Sequence, residues 1–223
     1  MSTQQRLGFL LDVDNTLLDN DALKDYLTTQ LHETLGAEGA SAFWQLYEEV
    51  RRQRDVVDLP LTVERYVGRT GDAATGTRLR AVLDTIPFSR FVYPHTFEAL
   101  RHLKTLGATT ILSDGDSVFQ PRKIERSGLA AAVDNHVLIY THKEEHLDEV
   151  ARAQPADHNV IVDDKARILA NVKRILDQRV TTVHVLQGHY ARETVPGGFT
   201  PDIEVAGIGD LRAMDAARFQ PSS

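Results

Sequence analysis

Short apolar runs alternate along the chain with longer segments in which apolar residues recur at helical spacing. The runs are rich in β-branched residues and are bounded by acids or glycines: residues 7–13, 108–113, 136–140, 159–163, 180–186 and, more weakly, 202–207. Runs of this kind predict strands that are buried on both faces. Helical spacing occurs in 95–106, 121–129 and 164–178. The alternation predicts an α/β fold, a Rossmann-like doubly wound parallel sheet with helices on both faces.

One long segment, residues 20–91, breaks the alternation. It contains no convincing strand and reads as a group of helices separated at Gly36, Pro60, Gly71 and Pro87, which are common sites of helix termination. We therefore expect an inserted all-helical domain over 20–91 and a sheet domain built from 1–19 and 92–223, joined near Asp19 and near Tyr93. We expect the tail after Arg218 to be frayed.

Composition narrows the classes of function. The 223 residues include 25 Lys and Arg against 32 Asp and Glu, a formal net charge of −7, which argues against nucleic-acid binding because that needs a basic surface. The chain has no cysteine, which excludes disulfides, thiolate zinc sites and cysteine nucleophiles. No apolar stretch approaches a signal peptide or the about 20 residues of a membrane span. We expect a cytoplasmic protein without a membrane partner, either a monomer or a homodimer.

Polar residues follow four of the predicted strands at the point where each strand ends. They are Asp12, Asp14, Asn15 and Thr16 after the first, Ser113 and Asp114 at the second, Lys143 past the third, and Asp163 and Asp164 at the fourth. Ligands of parallel α/β sheets bind just beyond the carboxyl ends of the strands. A set of carboxylates suits a hard divalent ion such as Mg²⁺, and a lysine with a hydroxyl suits a phosphate oxygen.

These blocks, in this order, resemble the motifs of the haloacid dehalogenase superfamily. Residues 12–16 (DVDNT) match its DxDxT first motif, Ser113 its second, Lys143 its third and residues 163–164 its acidic fourth. The helical insertion after the first motif resembles the C1-type cap of that family, and the resemblance covers nearly the whole chain. It implies a haloacid dehalogenase-like α/β core and a Mg²⁺-dependent phosphatase that acts on a small phosphorylated metabolite.

The resemblance also implies a role for each acid. Asp12 would attack the phosphorus atom and form an aspartyl-phosphate. Asp14 would protonate the leaving alkoxide and then activate water. Mg²⁺ would be held by Asp12, by the backbone carbonyl of Asp14 and by Asp164, with Asp163 close by or acting through water.

A second group of residues would surround the phosphoryl group. By the same resemblance, Ser113 and Lys143 would bind phosphoryl oxygens. Asn15, Thr16 and Asp114 complete the expected substrate-binding set, Asp114 through its backbone N–H. The chain departs from the family at Asn15, where many members have glycine, and it has no further acid in 165–168 after the acid pair.

Several basic residues allow a functional and a structural interpretation. We prefer Lys143 to Lys123 as the third-motif lysine, because Lys123 falls within a helical stretch and is interpreted as solvated. Arg51, Arg52 and Arg54 form a basic cluster that we interpret as a solvated helix face in preference to a selector of anionic substrates.

One pair of histidines has the spacing of a helical zinc pair. His142 and His146 lie four residues apart, but no HExxH pattern accompanies them and no third ligand is apparent. We therefore interpret them as partly exposed helix histidines.

Three other functions remain as alternatives to a phosphatase. A 2-haloacid dehalogenase of this superfamily lacks the second aspartate, here Asp14, and needs no metal. A phosphomutase shares the chemistry and differs in the acceptor of the phosphoryl group. A non-catalytic binding protein is the least favoured alternative, because such a protein is expected to lose at least one motif residue and this chain retains them all.

Overall fold

The structure, a computed structural model, describes residues 6–193 and 197–220. Its strands are β1 (Leu7–Leu11), β2 (Gly107–Asp114), β3 (Val137–Tyr140), β4 (His158–Asp163), β5 (Val180–Val185) and β6 (Ile203–Val205). They form a six-stranded sheet in the order β3-β2-β1-β4-β5-β6, and every adjacent pair is parallel. The predicted α/β fold is confirmed, and each predicted strand end lies within two residues of the observed one.

The helices are α1 (Asn20–Arg54), α2 (Leu59–Thr70), α3 (Ala73–Asp84), α4 (Thr96–Leu106), α5 (Phe119–Arg126), α6 (Leu129–Ala132), α7 (Leu147–Ala153) and α8 (Ala166–Leu176). Successive residues of β1 point to opposite faces of the sheet. Phe9 and Leu11 therefore pack with Leu100 of α4, whereas Leu10 packs with Ile168 of α8 on the other face. The central strands β1, β4 and β5 are buried on both faces, as the pattern predicted, whereas the edge strand β3 is half-buried and Glu204 of β6 is exposed.

The strand order places β1 at the centre of the sheet. Leu11 is opposite both Ile111 of β2 and Val162 of β4. The order of the strands reverses beside β1, and a crevice forms at such a switch point outside the carboxyl ends of the strands. The backbone N–H of Asp12 still donates to Val162 O, at 3.0 Å, so Asp12 enters that crevice beside the end of β4.

The inserted segment begins with a helix that reverses direction. Gly36 has φ 71° and ψ 175°, which interrupts α1, and Lys24 Nζ lies 5.4 Å from the ring centroid of Trp44. In a straight helix, residues that far apart in sequence would be about 30 Å apart. The halves of α1 are therefore antiparallel. Gly71 (φ 70°) ends α2, as predicted.

The entry and exit of the inserted segment lie side by side. Leu18 forms a β-bridge with Val92, Asp19 N donates to Phe91 O at 2.7 Å and Tyr93 N donates to Leu17 O at 3.0 Å. The chain therefore enters and leaves the segment 20–91 at neighbouring points of the backbone. The assignment of 20–91 as a separate domain stays a prediction.

The C-terminal segment is better packed than expected. Phe219 is fully buried and meets Phe9 edge to face with ring centroids 5.1 Å apart, while Thr181 Oγ1 donates to Phe219 O at 2.9 Å. The expectation of fraying after Arg218 is therefore wrong at Phe219, because the aromatic ring closes one end of the core. Residues 221–223 lie outside the described residues. Among the helices described, none combines the length and the apolar character that crossing a membrane requires.

Candidate active site

Three carboxylates converge at the carboxyl ends of β1 and β4. Asp12 is 3% exposed and Asp163 and Asp164 are 0% exposed. One oxygen from each lies within 4.8 Å of the others. The sheet brings them together because β1 and β4 are adjacent and parallel, so their ends meet at one edge. Burial of several like charges is costly unless cations or hydrogen bonds compensate them.

Lys143 supplies one compensating charge. Its ammonium group is 1% exposed and lies 2.5 Å from Asp12 Oδ1 and 2.7 Å from Asp163 Oδ2. Burial disfavours the charged form of this lysine, but the carboxylates of Asp12 and Asp163 outweigh it and raise the pKa of Lys143. The preference for Lys143 as the lysine beside the acids agrees with this placement.

The acids differ in their protonation. Burial, opposed by Lys143 and reinforced by Asp163, raises the pKa of Asp12 to about 6. Burial also acts on Asp163, but the neighbouring lysines, Lys143 first, hold the pKa of Asp163 below its usual value. Asp164 is the extreme case, because burial and the charges of Asp163 and Asp12 raise its pKa to about 9.

The unpartnered oxygens of this cluster fit a cation. Both carboxylate oxygens of Asp164 and Asp12 Oδ2 are buried and have no hydrogen-bond partner among the described residues. Buried carboxylates left without donors are strongly unfavourable. Oxygen donors of this kind are the ligands of Mg²⁺, so Asp12 and Asp164 suit that ion. The side chain of Asp14 is not in the cluster, which leaves only its backbone carbonyl for the expected metal contact.

We predict that Asp164→Asn stabilises the metal-free protein. With a folded-state pKa of about 9 against 3.8 for the ordinary group, Asp164 stays protonated in the folded state while the unfolded chain ionises. Stability without metal should therefore fall as pH rises through that interval. The asparagine does not titrate, so in EDTA at pH 8 the variant should be more stable by about 1–3 kcal/mol. Urea denaturation at pH 5 and pH 8 measures the difference.

The control for this measurement is Asp177→Asn, which makes the same chemical change at an exposed acid and keeps the size of the side chain. It should change stability little at either pH. Mg²⁺ should stabilise the parent and the control but not Asp164→Asn, since an ion that binds only the folded state raises its stability. A less stable Asp164→Asn variant in EDTA at pH 8 would contradict the assignment of an unpartnered carboxyl.

The side chain of Asp14 lies beside a lysine that the sequence interpretation placed in solvent. Lys123 is only 3% exposed, and its Nζ lies 2.5 Å from Asp14 Oδ1 and 3.4 Å from Asn20 Oδ1. The interpretation of Lys123 as solvated is therefore wrong. Phe119 and Ile124 are buried on the same face of α5, and that helical spacing was the signal that pointed Lys123 inward.

Gln120 of α5 links two of the expected site residues. Its amide nitrogen donates to Ser113 Oγ at 2.8 Å and to Asp14 Oδ2 at 3.3 Å. Ser113 is buried, and its hydroxyl lies 3.2 Å from Asp114 O. Asp114 Oδ1 accepts from the backbone N–H of Lys143 at 2.9 Å, so Asp114 orients the segment that carries the buried lysine.

Asn15 occupies the position at which many family members have glycine, and it adopts the backbone conformation that glycine allows. Its φ of 63° is left-handed, a conformation that asparagine adopts more readily than most residues. Asn15 Oδ1 accepts from the backbone N–H groups of Asn20 at 2.9 Å and Asp21 at 3.2 Å, so the side chain holds the start of α1. Thr16 is fully buried and does not line the cavity described next.

A cavity of about 320 Å³ lies between α1 and the carboxyl end of the sheet. Its lining includes Asp14, Asn15, Asp114, Lys123 and Lys165 from the sheet side and Lys24, Trp44, Tyr47, Arg51 and Asp55 from the inserted segment. Asp12, Lys143 and the acid pair are buried and do not line it. The interpretation of the arginine cluster as a solvated face agrees with the exposure of Arg51, Arg52 and Arg54, and Arg51 also lines the cavity.

Lys165 is a site residue that the sequence interpretation missed. It follows the acid pair directly and lines the cavity. Burial opposes its charge, but Asp12 and Asp163 outweigh burial and raise the pKa of Lys165 to about 12. Its ammonium lies 5.4 Å from the ring centroid of Tyr190. Its position immediately after two strand-end acids was the available signal.

Two acid–histidine pairs join the inserted segment to the sheet loops. His142 Nε2 lies 2.7 Å from Asp55 Oδ2, and His189 Nδ1 lies 2.6 Å from Asp21 Oδ1. The expectation that His142 and His146 share a helix is wrong, because His142 precedes a 3₁₀ turn and His146 follows it. His146 instead lies 3.0 Å from Glu149, so the two histidines have separate acidic partners.

Comparison with known proteins places the chain in a family. A family model described as haloacid dehalogenase-like hydrolase matches residues 7–183. Among curated proteins, none matches the chain significantly. A solved structure named as a haloacid dehalogenase-like hydrolase from Burkholderia xenovorans is 42% identical, with 96% of this chain and 98% of that chain covered and a TM-score of 0.88.

More distant solved structures share the fold. A protein named as a HAD-hydrolase, YfnB from Bacillus subtilis bound to magnesium, is 14% identical over 93% of this chain and 97% of that chain, with a TM-score of 0.61. An L-2-haloacid dehalogenase from Xanthobacter autotrophicus is 17% identical over 92% and 96% of the two chains, with a TM-score of 0.57. The same architecture therefore occurs in proteins with different names.

Proposed function

The chain belongs to the haloacid dehalogenase-like hydrolases, and on that premise we propose that it is a Mg²⁺-dependent phosphatase acting on small phosphate monoesters. The observation that carries the proposal is the second aspartate. Asp14 lines the cavity, while Asp12, two residues earlier, lies in the buried carboxylate cluster. One carboxylate is thus available as a nucleophile and the other as an acid and base, which hydrolysis through a covalent intermediate requires.

The carboxylate cluster supports the metal requirement. Asp12 and Asp164, with the backbone carbonyl of Asp14, would hold Mg²⁺. The bound ion would neutralise charge on the phosphoryl group and on Asp12 as they approach one another. Without compensation, two like charges about 4 Å apart repel by roughly 4 kcal/mol at an effective dielectric near 20.

In the proposed reaction, Asp12, Asp14 and Lys143 have separate roles. A carboxylate oxygen of Asp12 attacks phosphorus, the bond from phosphorus to the leaving oxygen breaks, and Asp14 gives that oxygen its proton. Water next attacks the aspartyl-phosphate, Asp14 takes the proton from that water, and Asp12 is released together with inorganic phosphate. Lys143 offsets charge at the nucleophile throughout, because it remains between Asp12 and Asp163.

Lys123 and Gln120 are positioning residues in this scheme. Both donate to the carboxylate of Asp14, so they fix its direction relative to Asp12. Ser113 is tied to the same amide. This network supports a role for Asp14 in proton transfer, since a general acid must be held within hydrogen-bond reach of the leaving oxygen.

The main alternative is displacement of a halide from carbon, which the dehalogenase with the same fold performs by name. That reaction has no use for a proton donor at the leaving group, because a halide leaves without one. The network that orients Asp14 favours phosphoryl transfer. A phosphomutase uses the same residues and differs only in replacing the attacking water by a hydroxyl group of a second substrate.

The test of the proposal compares three activities of the purified protein. We expect p-nitrophenyl phosphate to be hydrolysed with Mg²⁺ and not with EDTA, and 2-chloropropionate to yield no chloride under either condition. Release of chloride without metal would replace the phosphatase by a dehalogenase. Turnover that depends on an added acceptor alcohol and not on water would identify a phosphomutase.

Asp14→Asn provides an internal control through the leaving group. An alkoxide needs a proton as it leaves, whereas p-nitrophenolate does not. With Asp14→Asn we therefore expect turnover of glycerol 3-phosphate to fall by about 10²–10⁴-fold. Rapid mixing with p-nitrophenyl phosphate should still give a stoichiometric burst of p-nitrophenol, because only the second step is blocked. Equal losses for both substrates with no burst would remove Asp14 from the acid and base role.

A further inference from the structure

We propose that the cavity selects phosphate monoesters that carry a second anionic group, such as a carboxylate, and that Lys24 and Arg51 bind this group. The inference rests on the proposed phosphatase function and names its substrate class. Both residues belong to α1 and line the cavity on the side formed by the inserted segment. Asp14, Lys123 and Lys165 line it on the side of the sheet.

The acids that line the cavity already have partners. Their partners are Lys123 and Gln120 for Asp14, His189 and Asn15 for Asp21, His142 for Asp55, the Lys143 N–H for Asp114, and the N–H groups of Val118 and Phe119 for Asp116. Each of these carboxylates already accepts hydrogen bonds from other groups of the protein. They are therefore poorly placed to recognise a cationic substrate.

Three of the cations that line the cavity, Lys24, Arg51 and Lys165, have weaker ties to carboxylates. Within residues 6–193 and 197–220, neither Lys24 nor Lys165 has a carboxylate within ion-pair distance. The carboxylate beside Arg51 is Glu48, at a long 3.5 Å with both side chains about half exposed, and the guanidinium also lies beside the hydroxyl of Tyr190. Exposed pairs of this kind contribute little, so Glu48 leaves most of the positive charge of Arg51 available to a ligand.

Two aromatic rings hold Lys24 in place. Its ammonium lies 5.4 Å from the ring centroid of Trp44 and 5.9 Å from that of Tyr47. Cation–π contacts orient an ammonium group without neutralising its charge. The reversal of α1 at Gly36 creates this arrangement, because it brings the helix segment with Lys24 against the segment with Trp44 and Arg51.

The cavity has cations on both of its walls. On the sheet side, Lys165 lies near Asp12, which would receive the phosphoryl group, and Lys123 lies beside Asp14, the proposed acid and base, whereas Lys24 and Arg51 line the wall formed by the inserted segment. A volume of about 320 Å³ is at the small end of ligand pockets. A compact molecule with an anionic group at each end matches both the size and the charges.

The test uses two substrates that differ only at the end remote from the phosphate. 3-Phosphoglycerate has a carboxylate where glycerol 3-phosphate has a hydroxymethyl group. We expect kcat/KM with Mg²⁺ to be at least about tenfold higher for the carboxylate, which corresponds to about 1.4 kcal/mol. In Lys24→Met and in Arg51→Met the ratio should fall to within about threefold of unity. Arg54→Met, an exposed change in the same helix outside the cavity, should leave it unchanged.

A binding measurement separates this inference from the proposed function. The chain has one tryptophan, Trp44, and it lines the cavity, so its fluorescence reports occupancy without turnover. In Asp12→Asn with Mg²⁺, 3-phosphoglycerate should bind at least about tenfold more tightly than glycerol 3-phosphate, and Lys24→Met should remove the difference. Preferential binding without hydrolysis by the parent would support the inference and contradict the phosphatase.

Two results would overturn the inference and leave the phosphatase intact. The first is equal hydrolysis and equal binding of the two substrates. The second is a preference for phosphoethanolamine, whose remote group is a cation, since that would mean that the acids of the cavity dominate recognition. A preference for 3-phosphoglycerate that persists in both Lys24→Met and Arg51→Met would also remove these residues from the role.

Discussion

Asp12→Asn is expected to lower the turnover of p-nitrophenyl phosphate by about 10³-fold or more. Asparagine keeps the size of the side chain but cannot form the aspartyl-phosphate, so both steps of hydrolysis are lost. Phosphate release with Mg²⁺ measures the effect. The protein should stay folded, because Lys143 keeps its contact of 2.7 Å with Asp163.

Asp177→Asn is the control for this loss, since it makes the same chemical change at an exposed position at the other end of α8 from the acid pair. It should keep the parent rate. Incubation of the parent with substrate and rapid acid quenching should trap a phosphoryl group that Asp12→Asn does not acquire. An Asp12→Asn variant with the rate of the control would place the nucleophile elsewhere.

Lys143→Met is expected to cost about 3–5 kcal/mol of stability in EDTA, because it leaves buried carboxylates without their cation. The loss should grow with pH. In the parent, Lys143 holds the pKa of Asp163 below its usual value. When the lysine is removed, Lys143 no longer opposes the effect of burial, and burial favours the protonated form of Asp163. At pH 5 protonation therefore relieves part of the repulsion between Asp12 and Asp163, whereas at pH 8 it does not. Urea unfolding at both pH values measures this.

The matched control is Lys104→Met. Lys104 lies 2.5 Å from Asp134 in an ion pair at the surface, and such pairs contribute about 0–1 kcal/mol. The control should therefore lose less than about 1 kcal/mol, with little dependence on pH. A Lys143→Met variant as stable as this control would mean that the buried carboxylates are neutralised in another way. The same variant should also lose phosphatase activity, since Lys143 contacts the proposed nucleophile.

The candidate site has two layers. The buried layer contains Asp12, Lys143 and the acid pair, where charge compensation governs stability as well as chemistry. The second layer is the cavity lining, where Asp14 and Lys165 face the space that a ligand would occupy. Substitutions in the buried layer should therefore change stability and rate together. Substitutions of Lys24 or Arg51 should change selectivity alone.

The amino-acid pattern was enough to predict the fold class and the strand ends at which the candidate site residues lie. A strand that is buried on both faces appears in the sequence as an uninterrupted apolar run, and a helix appears as apolar residues at helical spacing. The strands at 7–13 and 108–113 could therefore be predicted from the sequence. The helical segment 20–91, which interrupts the alternation of strands and helices, and the helix end at Gly36 could be predicted for the same reason. Parallel strands end at one edge of a sheet, and this rule alone placed Asp12, Ser113 and Asp163 near one another.

The contacts of each charged group, by contrast, became visible with the three-dimensional structure. Lys123 and Asp14 are 109 positions apart in the chain, yet they form an ion pair, and Lys143 lies between Asp12 and Asp163 in the same way. Lys24 and Arg51 line the cavity only because α1 lies over the carboxyl end of the sheet. Apolar periodicity records whether a residue is buried, but it carries no information on partners far away in sequence. The energy of a charge depends on those partners and on its burial, so the active-site electrostatics were settled by the fold.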